Sequence, residues 1–224
     1  MTEPSRAPAA AKDCTGVLWL ETLDEISRRA GHELRGALNG VAVNIEVVRS
    51  RAAKRGAEKG GGEMAAGIAP FAAAAAAQLS LLTEMVEALL ALSGDARRKG
   101  VQPGVATTVA RLIALIGGAG SSDRAPERTA TGALRLDLDP SLDGGATTAS
   151  PAVVRLVLAS AILAVPGSGG EVGCRLRRET ATISVELAGG SPIRIADGIA
   201  ALAVEAGIGV RTTDTGLVLS FPAE

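Results

Sequence analysis

The sequence predicts an α+β protein, an N-terminal antiparallel helical hairpin followed by an α/β sandwich. Two observations predict the hairpin. Apolar residues recur every three or four positions from Trp19 to Val48 and again from Phe71 to Leu92, the period of helices with one buried stripe. A glycine-rich segment, Gly56–Ala69, separates the two runs. A third observation predicts the rest. After Gly100 the helical period gives way to short alternating runs interleaved with further helices, as a sheet covered by helices on one face requires.

Residues 1–14 carry acids, prolines and no apolar signal core, and read as a disordered tail. The first helix is expected over Thr15–Arg55, with Trp19, Leu23, Ile26, Ala30, Leu34, Leu38, Val41, Ile45 and Val48 as its stripe. The second is expected from Pro70, a residue suited to a first turn, to Ser93, with Gly94 ending it. Its stripe is Phe71, Ala75, Gln78, Leu82, Met85, Leu89 and Leu92. Further leucines at Leu79, Leu81 and Leu90 exceed what one partner helix can cover. A two-fold homodimer making a four-helix bundle would cover them.

Residues 95–100 form a polar linker, which divides the chain into a hairpin over 15–94 and an α/β part over 101–224. In the second part a helix is expected over Val105–Ile116, then a loop over 117–132 and a strand on Leu134, Leu136 and Leu138. Ser150-Pro151 reads as a cap and first-turn proline opening a helix to about Val165. Strands follow at Glu171–Arg178 and Thr180–Leu187, a helix at Ile195–Ala206, and a final hairpin of Val210–Thr213 and Leu217–Phe221 turning at Asp214-Thr215-Gly216.

Composition excludes several classes. The chain has 224 residues, 47% of them hydrophobic and 1% aromatic, so its core is built of Leu, Val, Ile and Ala. A net charge of −1 without a long basic run gives no electrostatic footprint for nucleic acid. Cys14 and Cys174 form no CxxC pair, and a single histidine cannot supply a multi-histidine metal site. No run of about 18 consecutive apolar residues free of charge or breakers occurs, so no membrane span is expected and the reading is cytoplasmic.

That one histidine, His32, lies inside the first helical run, two residues from both Ala30 and Leu34. At about 100° per residue it falls opposite the apolar stripe, facing solvent. Glu33 follows it, a carboxylate able to polarise or deprotonate an imidazole. Arg28, Arg29 and Arg35 stand one turn away and offer charge to a phosphoryl group. On the same face, Gly36, Asn39 and Val43 are small or apolar where a solvated surface would carry Lys and Glu, and they suit a docking partner.

The string His32-Glu33-Leu34-Arg35, with Leu38, resembles the H-box of bacterial sensor histidine kinases. The resemblance implies a phosphoacceptor histidine on the first helix of a dimerisation and phosphotransfer hairpin. Gly36 stands where that family carries Asn or Thr, and Ala37 where it carries Pro, so neither a water-orienting side chain nor a proline kink is expected. The later elements resemble the family's ATP-binding domain, the fold shared with gyrase-type ATPases. The residues that would hold nucleotide are missing. Ala152–Val165, in the place of the magnesium-binding helix, has no Asn, Asp, Glu, Gln or His. Ala188-Gly189-Gly190-Ser191-Pro192 replaces the acidic adenine-reading loop, and the segment from Asp197-Gly198 to Val210 is too short for a nucleotide lid. Gly167–Gly170 follows a helix and precedes a strand, the reverse of a phosphate-loop order, and reads as a connector.

The resemblance therefore implies a histidine phosphotransferase of a phosphorelay. His32 would accept a phosphoryl group from one receiver-domain aspartate and pass it to another. Glu33 would assist proton movement and Arg35 would offset charge. Mg²⁺ would come with the receiver partner, and no ATP or other cofactor would be bound by this chain. A dimeric binding protein that sequesters a response regulator or kinase without chemistry is the alternative, and an active ATP-dependent kinase a third.

Overall fold

The computed structural model describes residues 8–55, 62–94, 104–116, 134–139, 142, 145–165 and 172–224. Residues 1–7 of the expected tail, residues 56–61 of the expected turn, the linker over 95–100, the loop over 117–132 and the Gly167–Gly170 connector lie outside them.

Two long helices open the chain, α1 over Pro8–Arg55 and α2 over Gly62–Gly94. Both begin earlier than their apolar stripes. The alanines after Pro8 and the Glu63–Ala66 run are strong helix formers, and propensity extends each helix beyond the part that packing requires. Residues 8–14 are therefore helix, not tail, and Pro70 lies inside α2, not at its start. Proline there removes one intrahelical hydrogen bond.

The helices are antiparallel. Asn44 of α1 meets Gln78 of α2, while Arg51, further along α1, stacks 4.4 Å from the ring centroid of Phe71, earlier in α2. The seam is largely the expected one: Ile26, Ala30 and Val41 from α1 and Ala75, Leu82, Met85 and Leu92 from α2 are buried. Two residues of the expected α1 stripe, Leu38 and Ile45, are instead exposed. Both project roughly 60° to the side of the seam on a helical wheel, beyond the reach of a single partner helix.

In the middle of the seam sits an amide pair. Asn44 Nδ2 donates to Gln78 Oε1 at 3.2 Å. Gly40 makes room for it, because a Cβ at that position would overlap the Gln78 carboxamide, with Cδ only 2.8 Å away. A polar pair in an apolar seam favours the one register that satisfies it.

The second part contains α3 (Val105–Ile116), β1 (Leu134–Leu138), α4 (Pro151–Leu163), β2 (Val172–Arg178), β3 (Thr182–Ala188), α5 (Asp197–Glu205), β4 (Gly209–Thr213) and β5 (Gly216–Pro222). The strands form one five-stranded sheet in the order β1-β2-β3-β5-β4. β1 runs parallel to β2, and every other pair is antiparallel. Alternation decides the faces. Cys174 and Leu176, Ile183, Val185 and Leu187, and Leu217, Leu219 and Phe221 point into the core, while Arg175, Arg177 and Glu186 point to solvent. At Gly216 of β5 a Cβ would overlap the Leu187 carbonyl of β3.

α3 buries Val105, Val109, Leu112 and Leu115, and α4 is buried almost all round, from Val154 to Ala159 and at Ala161 and Ile162. An all-round apolar helix needs cover on two sides. The sheet supplies one, and α1 with α3 the other. One apolar core thus runs from Ile26, Ala30, Met85, Ala88 and Leu92 of the hairpin through α3 and α4 to the sheet.

Candidate functional site

α4 runs alongside the first half of α1 in the same direction. The Arg155 guanidinium lies 5.7 Å from the ring centroid of Trp19, and Arg29 Nη2 donates to the carbonyl of Leu163 at 3.0 Å. Leu163 is the last residue of α4. α4 therefore ends beside Arg29, one turn before His32.

His32 is exposed, as its opposition to the apolar stripe predicts. Glu33 and Gly36 are half-buried, and Arg35, Asn39 and Val43 are exposed. All six lie on one stretch of α1. On the wheel, His32, Gly36, Asn39 and Val43 share one face, pointing away from α2, while Glu33 lies about 100° round from His32. Consecutive helical side chains do not face each other, so Glu33 meets the imidazole only through a bent side chain or a water.

The arginines are arranged differently from the expectation that all three face a phosphoryl group. Arg28 donates to both Glu25 oxygens, from Nε at 2.8 Å and Nη2 at 2.7 Å. Arg29 Nε also donates to Glu25, at 2.8 Å. The Arg28 guanidinium foremost, then that of Arg29, holds the Glu25 carboxyl below its usual range. Side chains on a helix lean toward its N-terminus, so arginines at these positions reach back to Glu25 more readily than forward to His32. Arg35 has no ion pair among the described residues. Of the three arginines around His32, it is the one not drawn into the Glu25 pairing.

Elsewhere, Arg155 is buried on α4 and lines a cavity of about 490 Å³ with Thr108, Thr147, Ser150 and Glu224. This cavity is at the opposite end of α4 from His32, roughly 18 Å along the helix. Between β3 and α5 the chain passes through Gly190, with φ of +74°, and the buried Ile193. Burial pushes the Cys174 thiol up to about 12, so it stays protonated and unreactive. Among the described residues, no three His, Cys, Asp or Glu side chains gather as a metal site requires.

Sequence reading missed the Arg29–Leu163 contact, the burial of Arg155 and the Asn44–Gln78 pair. Only Gln78 had left a signal, as a polar residue within an apolar stripe. It also missed that Ile68–Leu92 of α2 is, by length and composition, long and apolar enough to cross a membrane. Counting consecutive apolar residues overlooked a window rich in alanine. In the fold, that helix is packed along α1.

No protein-family model matches the chain, and no curated protein matches it. A solved structure described as a bacterial phosphotransferase aligns over 92% of this chain and 96% of its own, with 18% identity and a TM-score of 0.38. At that score the likeness carries no argument about fold or function.

Proposed function

We propose that the protein is a histidine phosphotransferase of a phosphorelay, passing a phosphoryl group between receiver-domain aspartates through His32 without using ATP. The observation that carries this reading is His32 itself: the chain's one histidine, exposed on a rigid helix just past the end of α4, above the small or apolar surface of Gly36, Asn39 and Val43. In the forward step, an imidazole nitrogen of neutral His32 attacks the phosphorus of an aspartyl phosphate. The N–P bond forms, the P–O bond to the aspartate breaks, and the aspartate leaves as a carboxylate. Glu33 accepts the proton released from the other ring nitrogen, directly or through water. Arg35 offsets the phosphoryl charge, and Mg²⁺ enters with the receiver's acidic pocket.

The α/β part is read as an eroded ATPase-like sandwich that has become a packing and docking module. Its α4 carries apolar residues and Arg155 where a nucleotide site needs an amide, and β3 leads into α5 without an acidic loop. Loss of both polar partners leaves little nucleotide affinity.

A homodimer belongs to the same reading. Leu38 and Ile45 of α1 and Leu79, Val86 and Leu90 of α2 are 45–64% exposed. Each set forms one stripe, and in an antiparallel hairpin both stripes turn to the same side. A second hairpin packed there completes a four-helix bundle and leaves the His32 face open.

The test is incubation with phosphorylated receiver domains from the same organism, followed by detection of acid-labile phosphate on this chain. Transfer that His32→Ala abolishes is expected. Binding of the receivers with no transfer would leave the sequestering protein instead, and labelling of His32 by ATP alone would restore an autonomous kinase.

A further inference from the structure

Two arginines connect α4 to α1, and the one nearer His32 is spent on both sides. Arg29 Nε donates to Glu25 at 2.8 Å and Nη2 donates to Leu163 O at 3.0 Å. The acceptor matters. Leu163 closes α4, so its carbonyl is one of those that no later turn of the helix can satisfy. A guanidinium there meets an orphan acceptor and the negative end of the helix dipole together. Its backbone is also fixed, because Ile26 and Ala30 on either side are buried in the core that joins hairpin to α/β layer. Glu25 orients the guanidinium, and is itself gripped by Arg28.

We propose that Arg29 is a positioning residue and not a phosphoryl ligand: it clamps the end of α4 to α1 one turn before His32, and so fixes where the α/β layer stands beside the partner-docking face. This rests on the reading of His32 as the phosphoacceptor. A receiver that docks on Gly36, Asn39 and Val43 approaches the last turn of α4 as well. Loosening that turn blurs the surface the receiver meets without touching the atoms that react. The clamp therefore acts on recognition, and a phosphoryl ligand would act on the transfer step.

The two roles respond differently to Glu25→Gln. If Arg29 is a clamp, Glu25→Gln weakens it and behaves like Arg29→Gln. If Arg29 is a phosphoryl ligand, Glu25→Gln releases it toward His32, and transfer holds or quickens. The experiment uses the full-length protein with a phosphorylated receiver domain. Amide hydrogen exchange over residues 160–165 and KM and kcat for transfer are measured in wild type, Glu25→Gln, Arg29→Gln and Arg29→Lys. Expected for both glutamine variants is about fivefold faster exchange at the end of α4, the loss of one ordinary hydrogen bond. KM is expected to rise severalfold with kcat unchanged. Lysine keeps the charge but cannot span both acceptors, so Arg29→Lys is expected to exchange as fast as Arg29→Gln. Unchanged exchange in Arg29→Gln, full protection in Arg29→Lys, or a fall in kcat at constant KM would each overturn the clamp. Should the wild type accept no phosphoryl group at all, the phosphotransfer reading fails while the exchange measurement still decides the clamp.

Discussion

Gly40 poses a question of sign that the structure answers. Glycine inside a helix is unfavourable, and Gly→Ala in an exposed helix interior stabilises by about 1 kcal/mol. At Gly40 the new methyl group would occupy the space of the Gln78 carboxamide. Gln78 is flexible and can swing out, so the overlap itself is relieved cheaply. What is lost is the hydrogen bond from Asn44, about 0.5–1.5 kcal/mol, and the two amides must find water in a half-covered seam. The gain and the loss nearly cancel, and Gly40→Ala alone is expected to be neutral or destabilising by up to about 1 kcal/mol. Once Gln78 is Ala, the space is empty. Gly40→Ala is then expected to stabilise by the full helical increment of about 1 kcal/mol. The double-mutant cycle should thus show a coupling of about 1 kcal/mol or more between two residues with no covalent or charge connection. Urea denaturation followed by circular dichroism, at one fixed protomer concentration, measures it. The same ΔΔG for Gly40→Ala in both backgrounds would show that Gln78 does not fill the Gly40 notch.

Gly216→Ala is expected to be far worse than Gly40→Ala, because its Cβ would strike the Leu187 backbone, which cannot swing aside. The β3–β5 pairing must open, and a loss of several kcal/mol should appear as a large fall in Tm or as insoluble protein. Leu90→Glu, at an exposed position, is expected to halve the sedimenting mass while circular dichroism stays unchanged, since it would bury a charge only in the dimer. Leu82→Glu and Leu89→Glu are poorer probes, because Leu82 and, in part, Leu89 are already covered within the protomer. Arg28 foremost, then Arg29, holds the folded-state Glu25 carboxyl below its ordinary range, so its contribution is present above the unfolded carboxyl's value and is lost as pH falls through the folded one. Glu25→Gln should lower stability near neutrality and match wild type at low pH in acid titrations. The effect should be modest, because the side chain is partly exposed.

The sheet and its helices were legible because their signals are local. α3 lies where the apolar spacing put it, and each strand differs from its alternating run by no more than two residues at an end. Helix starts in the hairpin were misplaced because alanine-rich segments extend a helix without contributing to a stripe. The exposure of His32 was legible from its offset to Ala30 and Leu34. The fates of Arg28 and Arg29 were not. A helical wheel places both beside His32, but which way a guanidinium turns depends on Glu25 within the helix and on a carbonyl 134 residues away. Spacing in the chain carries no trace of that second contact. The exposure of Leu38 and Ile45 was likewise set by geometry, since a nine-residue stripe with regular steps does not say how wide a face one neighbour can cover.

The shared core has a consequence for how this protein can be divided. The residues at the top of the hairpin, Ile26, Ala30, Met85, Ala88 and Leu92, are buried against α3 and α4 and not only against each other. A fragment ending near residue 94 would present that end of the hairpin to water, and a fragment beginning near 104 would strip α4 of the α1 part of its second wall. The hairpin therefore does not detach cleanly. Chimaeras that exchange only the exposed stretch between His32 and Val43, leaving both sides of the common core in place, respect the joints the molecule has.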